Sequence, residues 1–179
     1  DLDHAALKEM FPGIGPVAQR ALYFPHNGWT VNPGRLTRTV GRLFAEAGGV
    51  LRHENVMSVR PVEGGFELFG TLGDFRARTV VLATGSWTGR LLAPLGVNLP
   101  METERGYHLM LEGANIAPKL PLLLRDGGMA ITPMEEGLRL AGTVEIAGLD
   151  APPDERRARQ LLDRAKPGFP GPEAASYRT

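Results

Sequence analysis

The stretch Arg78-Thr79-Val80-Val81-Leu82-Ala83-Thr84-Gly85-Ser86-Trp87-Thr88-Gly89 constrains this chain more than any other. Its apolar, β-branched run reads as a strand covered on both faces, which then breaks into a Thr-Gly turn and a helix start. In open α/β sheets, the crevice beyond the carboxyl end of such a strand is where ligands bind, and glycine there lets backbone come close to them. The pattern predicts a strand over Phe75 to Ala83 and a short helix over Trp87 to Leu95.

Composition narrows the rest. A chain of 179 residues with 42% hydrophobic content can bury a core, as one domain or as part of a larger protein. Twenty Lys and Arg balance twenty Asp and Glu, so no net field draws nucleic acid or an anionic membrane, and the expected partner is a small molecule. The absence of cysteine excludes a disulfide framework, an iron–sulfur site, a thiolate zinc site and a cysteine nucleophile, and cytoplasm is the favoured compartment. No apolar stretch approaches the roughly 20 residues that a transmembrane segment needs. The opening Asp1-Leu2-Asp3-His4 has neither an initiator methionine nor a basic signal region, so an internal piece of a longer protein is expected.

Residues 2 to 11 show a short helical pattern that Pro12 and Gly13 terminate, and Phe24 to Thr30 reads as loop passing into strand. Asn32 before Pro33 is an N-cap followed by a residue suited to the first helical position. Leu36, Val40, Leu43, Phe44 and Ala47 then share one face of a helix over Pro33 to Ala47, stopped by Gly48 and Gly49. Strand patterns follow at Val50 to His53, Val56 to Val62 and Phe66 to Phe69, with Glu63-Gly64-Gly65 as a hairpin turn. Later strands are expected at Gly106 to Leu111, Leu122 to Leu124, Met129 to Pro133 and Leu138 to Thr143. The Glu135-Glu136-Gly137 turn joins the last two as antiparallel neighbours. A charged helix, opened by Asp154 and Glu155 at its dipole-positive end, runs to about Lys166, and the Pro- and Gly-rich tail from Pro167 shows no element.

Several apparent motifs fail on context. Gly13-Ile14-Gly15-Pro16-Val17-Ala18 has the letters of a dinucleotide fingerprint but lacks both the preceding hydrophobic strand and the acidic residue about 20 positions on. Ser86 has Thr84 and Thr88 where a nucleophile elbow needs glycine. His4, His26, His53 and His108 stand singly, with no metal-ligand spacing. His108 follows Tyr107 in a polar cluster leading into an apolar strand, and alternation puts the two on opposite faces. A half-buried strand with a hydrogen-bonded tyrosine and a ligand-contact role both remain open for this pair, as do a plain strand-to-helix turn and a ligand lip for Thr84 to Trp87.

Four blocks together carry a resemblance: Gly28 to Leu36, Val80 to Trp87, Thr103 to Leu111, and Thr132 to Glu145. In this order and spacing the chain resembles the FAD-dependent D-amino acid oxidase and dehydrogenase superfamily, which includes glycine oxidase and sarcosine oxidase. The last block is similar to the bacterial D-amino acid dehydrogenase branch. The resemblance implies a mixed α+β fold: a large mixed or antiparallel sheet of a substrate domain over about residues 100–166, and helix and strand pieces of a Rossmann-type FAD domain over about residues 25–95. It implies oxidation of the C–N bond of a D-amino acid or small amine by hydride transfer to flavin. Carried over by position, Val56, Ala83, Thr84, Gly85 and Trp87 would contact FAD, and Tyr107 and His108 would lie near the flavin ring and substrate.

The family's amino-terminal Gly-rich turn and its carboxyl-terminal Gly-x-Arg-Pro region have no counterpart in these residues. The expectation is therefore an internal fragment that is inactive alone and binds FAD weakly or not at all. The electron acceptor, oxygen or quinone, is not readable. The alternatives are a non-catalytic binding or interaction module and a relative that oxidises 2-hydroxy acids.

Overall fold

The structure of the protein is a computed structural model, described for residues 1–116, 118–170 and 176–179. Along the chain the elements are β1 (Leu2–Asp3), α1 (His4–Met10), β2 (Arg20–Ala21), α2 (Pro33–Glu46), β3 (Val56–Val62), β4 (Gly65–Gly70) and β5 (Gly73–Ala77). Then come α3 (Thr88–Leu92), β6 (Glu104–Glu112), β7 (Leu122–Leu124), β8 (Met129–Met134), β9 (Gly137–Ile146), α4 (Glu155–Ala165) and β10 (Ser176–Arg178). The fold is mixed α+β, and the chain divides into two compact units.

The first unit comprises Asp1–Thr37, Arg105–Glu145 and Pro152–Thr179. Its centre is a sheet in the order β10-β6-β9-β8-β7. The β8–β9 hairpin closes where the Glu135-Glu136-Gly137 turn was expected, with Met134 opposite Gly137. Gly137 has a positive φ of 147, and a Cβ there would run into the Leu111 carbonyl, so only glycine lets the turn pass β6 this closely.

Alternation sends Leu109 and Leu111 of β6, Met129 and Ile131 of β8, and Leu138 and Leu140 of β9 to one face. There they pack with Leu161 and Ala165 of α4 and with Phe169. A second cluster of Leu7, Phe11 and Ile14 meets the same sheet through Leu122 and Leu124. Asp3 caps α1 by accepting a hydrogen bond from the Ala6 amide, and Asp154 caps α4 through the Arg156 amide.

The second unit comprises Arg38–Glu104 and Ile146–Ala151. Strands β3, β4 and β5 form an antiparallel meander. Val59 of β3 lies opposite Leu68 of β4, and both are buried, as is Leu91 of α3. Helix α2 ends one residue before the expected Ala47, and its apolar face is largely open: Val40, Leu43 and Phe44 are all exposed, although the Phe44 ring lies against Gly49.

Three expectations are corrected. Strand β5 stops at Ala77, and Thr79 to Thr84 has no ladder partner among the described residues, with Val81 84% exposed. Val50 to His53 likewise forms no strand, and Val50 and Leu51 are exposed. An apolar run becomes a strand only when another strand takes up its backbone groups, and these two runs lack one here. The predicted Trp87 to Leu95 helix is a single α-turn flanked by 3₁₀ turns at Gly85–Trp87 and Ala93–Leu95, with Pro94 preventing a longer helix. The tail does carry a strand, β10, which pairs antiparallel with β6; residues 171–175 of that tail lie outside the described residues.

Candidate functional site

In the second unit, the run read as a ligand lip is a compact, exposed turn. The Trp87 amide donates to the Thr84 carbonyl at 3.1 Å, and the Thr88 hydroxyl donates to the Gly85 carbonyl at 2.7 Å. The hydroxyls of Thr84 and Thr88 lie 2.9 Å apart. Gly85 sits at φ 54, a left-handed conformation, and no atom lies within 4 Å of where its Cβ would be. This backbone is open to close approach, which is the requirement for a dinucleotide cofactor, and the exposed Trp87 indole and Ala83 flank it. Val56 begins β3 opposite Gly70, half-buried, with a register irregularity between it and Ser58.

In the first unit, Tyr107 and His108 project from β6 to opposite faces, as alternation requires. Tyr107 lies on the α4 side and is 8% exposed. Its hydroxyl donates to Glu145 Oε2 at 2.5 Å and accepts from the Asp154 amide at 2.8 Å. Arg105 Nη1 lies 3.2 Å from the same carboxylate oxygen and 3.1 Å from the Pro152 carbonyl, and Arg157 Nε is 3.7 Å from Glu145 Oε1.

The position of Glu145 comes from a backbone irregularity. Strict alternation from Leu138 and Leu140 would put Glu145 on the opposite face, but Thr143 adopts φ 58, which shifts the alternation and returns Glu145 to Tyr107. No local pattern announces that shift; the sole sign in the sequence is Glu145 itself, a carboxylate ending an apolar strand.

His108 occupies the other face, together with Met110. Cross-strand pairs place Arg178 beside Met110, Thr132 beside Arg139, and Ala130 beside Ala141, so these residues share it. The pKa of His108 lies below its ordinary value of 6.5, first because burial disfavours the imidazolium, then because the cations Arg139 and Arg178 oppose it. On this face Met110 is buried, Ala130, Thr132 and Ala141 are small and half-buried, and no neighbouring atom lies within 4 Å of a Cβ built on Gly106. The result is a half-buried face bearing an imidazole that resists protonation and a guanidinium. Arg139 was missed in the sequence, although a charge between Leu138 and Leu140 in an apolar strand is a usable signal.

The block Gly28 to Leu36 meets the block starting at Thr132. Trp29 Nε1 donates to the Pro133 carbonyl at 2.9 Å, and Asn32 Oδ1 accepts from the Arg35 amide at 2.8 Å, forming the predicted cap of α2. Asn32 Nδ2 and Arg35 Nη1 hold the two oxygens of Glu135 at 2.6 and 2.5 Å. A separate cavity of about 980 Å³ opens in this unit, walled mainly by apolar residues such as Leu7, Phe11, Leu22 and Leu122; none of the predicted site residues line it. No helix of the described residues is long and apolar enough to cross a membrane.

Comparison with known proteins bears on the family and the fold. The glycine oxidase of Pseudomonas aeruginosa is 30% identical over 154 residues, covering 84% of this chain and 42% of that protein. A D-amino acid dehydrogenase of Xylella fastidiosa is 30% identical over 179 residues, covering 95% of this chain and 40% of the relative. A D-amino-acid oxidase of Bradyrhizobium diazoefficiens is 42% identical over 98 residues, 55% of this chain and 23% of that one. Among solved structures, glycine oxidase from Geobacillus kaustophilus superposes with a TM-score of 0.81 at 23% identity, over 98% of this chain and 48% of its own, which bears on the fold. The chain thus spans less than half the length of each of these relatives. The profile of the family described as FAD dependent oxidoreductase matches residues 2–178, and the chain belongs to that family.

Proposed function

We propose that the whole protein oxidises the C–N bond of a D-amino acid or small amine, with the His108 face of the β6–β9–β8 sheet as the substrate surface. The observation that carries this reading is the half-buried His108 face, on which small residues such as Ala130, Thr132 and Ala141 lie beside polar groups, in a chain of this family. When bound, FAD supplies the acceptor for the hydride that leaves the substrate Cα, while the amine loses a proton. The resulting imine takes up water and releases ammonia and a carbonyl compound. The protein residues bind, orient and shield; the redox chemistry belongs to the cofactor.

Ala83, Thr84, Gly85 and Trp87 would hold the cofactor through the open turn, and the backbone of Val56 would contribute from the start of β3. His108, neutral near pH 7, offers one ring nitrogen as donor and the other as acceptor towards the substrate amine or its water. Tyr107 serves the same strand from the opposite face, locking it to Glu145 and α4. Val81, exposed within the apolar run Val80 to Ala83, and the exposed apolar side chains of α2 fit burial by further parts of an FAD domain. The 179 residues alone would hold FAD weakly, since no Gly-rich pyrophosphate turn follows a strand among them; visible flavin absorbance in this purified stretch would contradict that.

The test is product analysis with the full-length protein. Incubation with D-alanine is expected to yield ammonia and a 2-oxo acid in equal amounts. A full-length, flavin-loaded protein that releases neither from any D-amino acid or amine would overturn the reading.

A further inference from the structure

The segment that leads into β3 is held by contacts with a turn rather than by a ladder. Val50 to His53 forms no strand, and the residues that follow are tied to the β4–β5 turn. The Asn55 amide donates to the Thr71 hydroxyl at 3.3 Å, and the Thr71 amide donates to the Asn55 carbonyl at 3.0 Å. The Leu72 amide donates to Glu54 Oε1 at 2.8 Å.

Glu54 stands apart from its neighbours. Its side chain is only 2% exposed, and its Oε2 has no hydrogen-bond partner among the described residues. Arg52 Nη2 lies 2.8 Å from that oxygen as an ion pair, with the guanidinium carbon 4.8 Å from the centre of the Phe75 ring. A carboxylate withdrawn this far from water is costly, and one amide and one cation offset only part of that cost. Gly70 makes the room, since a Cβ there would collide with the Glu54 carboxylate. The Asn55 and Thr71 contacts already close the turn, so the buried acid adds position rather than closure.

What it positions is Val56. Val56 pairs with Gly70, the residue against which the carboxylate packs, and the next pair is Ser58 with Phe69. Met57 between them is the extra residue of a bulge and is exposed. A bulge lifts backbone groups out of the ladder and re-aims them. A backbone C=O and N–H presented together complement the edge of adenine, whose exocyclic amine donates and whose neighbouring ring nitrogen accepts.

We infer that Glu54 is a positioning residue for the adenine of FAD: through the Leu72 amide and the space at Gly70, it fixes the bulge from which the Val56 backbone meets the ring. The assignment rests on the cofactor role proposed above for Val56.

The experiment uses the full-length protein freed of flavin, titrated with FAD by fluorescence quenching and with ADP by calorimetry; ADP carries the adenine but no flavin. Glu54→Ala is expected to weaken both at least tenfold, while the visible spectrum of the flavin at saturating FAD stays that of wild type. Gly70→Ala puts a methyl where the carboxylate lies, so it should lower both affinities similarly in a chain that keeps Glu54, and it serves if Glu54→Ala does not fold. The double variant should bind no worse than Glu54→Ala, because the same contact is lost in each. Glu54→Gln keeps an acceptor for the Leu72 amide and should bind within threefold of wild type. Arg60→Gln, on the exposed face of the meander, stays within twofold.

If Glu54→Ala and Gly70→Ala bind FAD and ADP as wild type does, the Glu54 assignment is overturned while the cofactor reading stands. Loss confined to FAD, a changed flavin spectrum, or no ADP binding by a wild type that takes up FAD also overturns it, since the effect then lies away from the adenine. If wild type binds neither FAD nor ADP, the cofactor reading itself falls.

Discussion

Tyr107 is held on both sides of its hydroxyl, by Glu145 and by the amide of the residue that caps α4. Removing that oxygen leaves a partly buried carboxylate short of a donor and a helix start short of an acceptor, so Tyr107→Phe should cost about 1–3 kcal/mol in urea unfolding. Glu145→Gln should be destabilising too, and the double variant less than additive, because both changes break one network. His108 is expected to govern part of the pH dependence. Its folded pKa lies below its unfolded value of 6.5, so between the two the unfolded chain binds more protons. Its contribution to stability is therefore full above about pH 6.5 and is lost as pH falls through the folded pKa. His108→Gln should flatten the stability profile across that window, and an unchanged slope would show that His108 titrates normally. The opposite faces of these two neighbours were readable from alternation; the partner of Tyr107 was not, because the Thr143 conformation that redirects Glu145 follows from no composition rule.

Secondary structure was legible where its determinants are local. Asn32-Pro33 gave the start of α2 correctly, since a cap and a first-turn proline act within four residues, and Asn32→Ala should cost about 1 kcal/mol by loss of the cap. The β3–β4 and β8–β9 hairpins were legible for the same reason. Thr79 to Ala83 and Val50 to His53 were misread because a strand of a parallel sheet depends on neighbours far away in sequence, and none pairs with them among the described residues. Strand β10 was missed because three residues of Ser, Tyr and Arg carry no pattern; its partner β6 makes it a strand. In the core, Leu161 is fully buried between α4 and the sheet, so Leu161→Ala should cost about 2–5 kcal/mol in thermal or denaturant melts.

For the molecule as a whole, the most visible property of these residues is exposed apolar surface. Val40, Leu43 and Phe44 on α2, with Val50, Leu51 and Val81, are exposed in a chain that spans less than half of its relatives. Expressed alone, it should bind an apolar dye and self-associate at high concentration, whereas the full-length protein should do neither. Family membership was legible from four blocks in order, and the two units show why: the Gly28 to Leu36 and Thr132 to Glu145 blocks are joined by hydrogen bonds through Trp29, Asn32 and Arg35, while the Val80 to Trp87 block forms the open turn. What most directly decides the account is anaerobic mixing of the full-length flavoprotein with D-alanine or with D-lactate. The account predicts that D-alanine bleaches the visible flavin absorbance and D-lactate does not. Bleaching by D-lactate alone, or by no D-amino acid or amine at all, would contradict it.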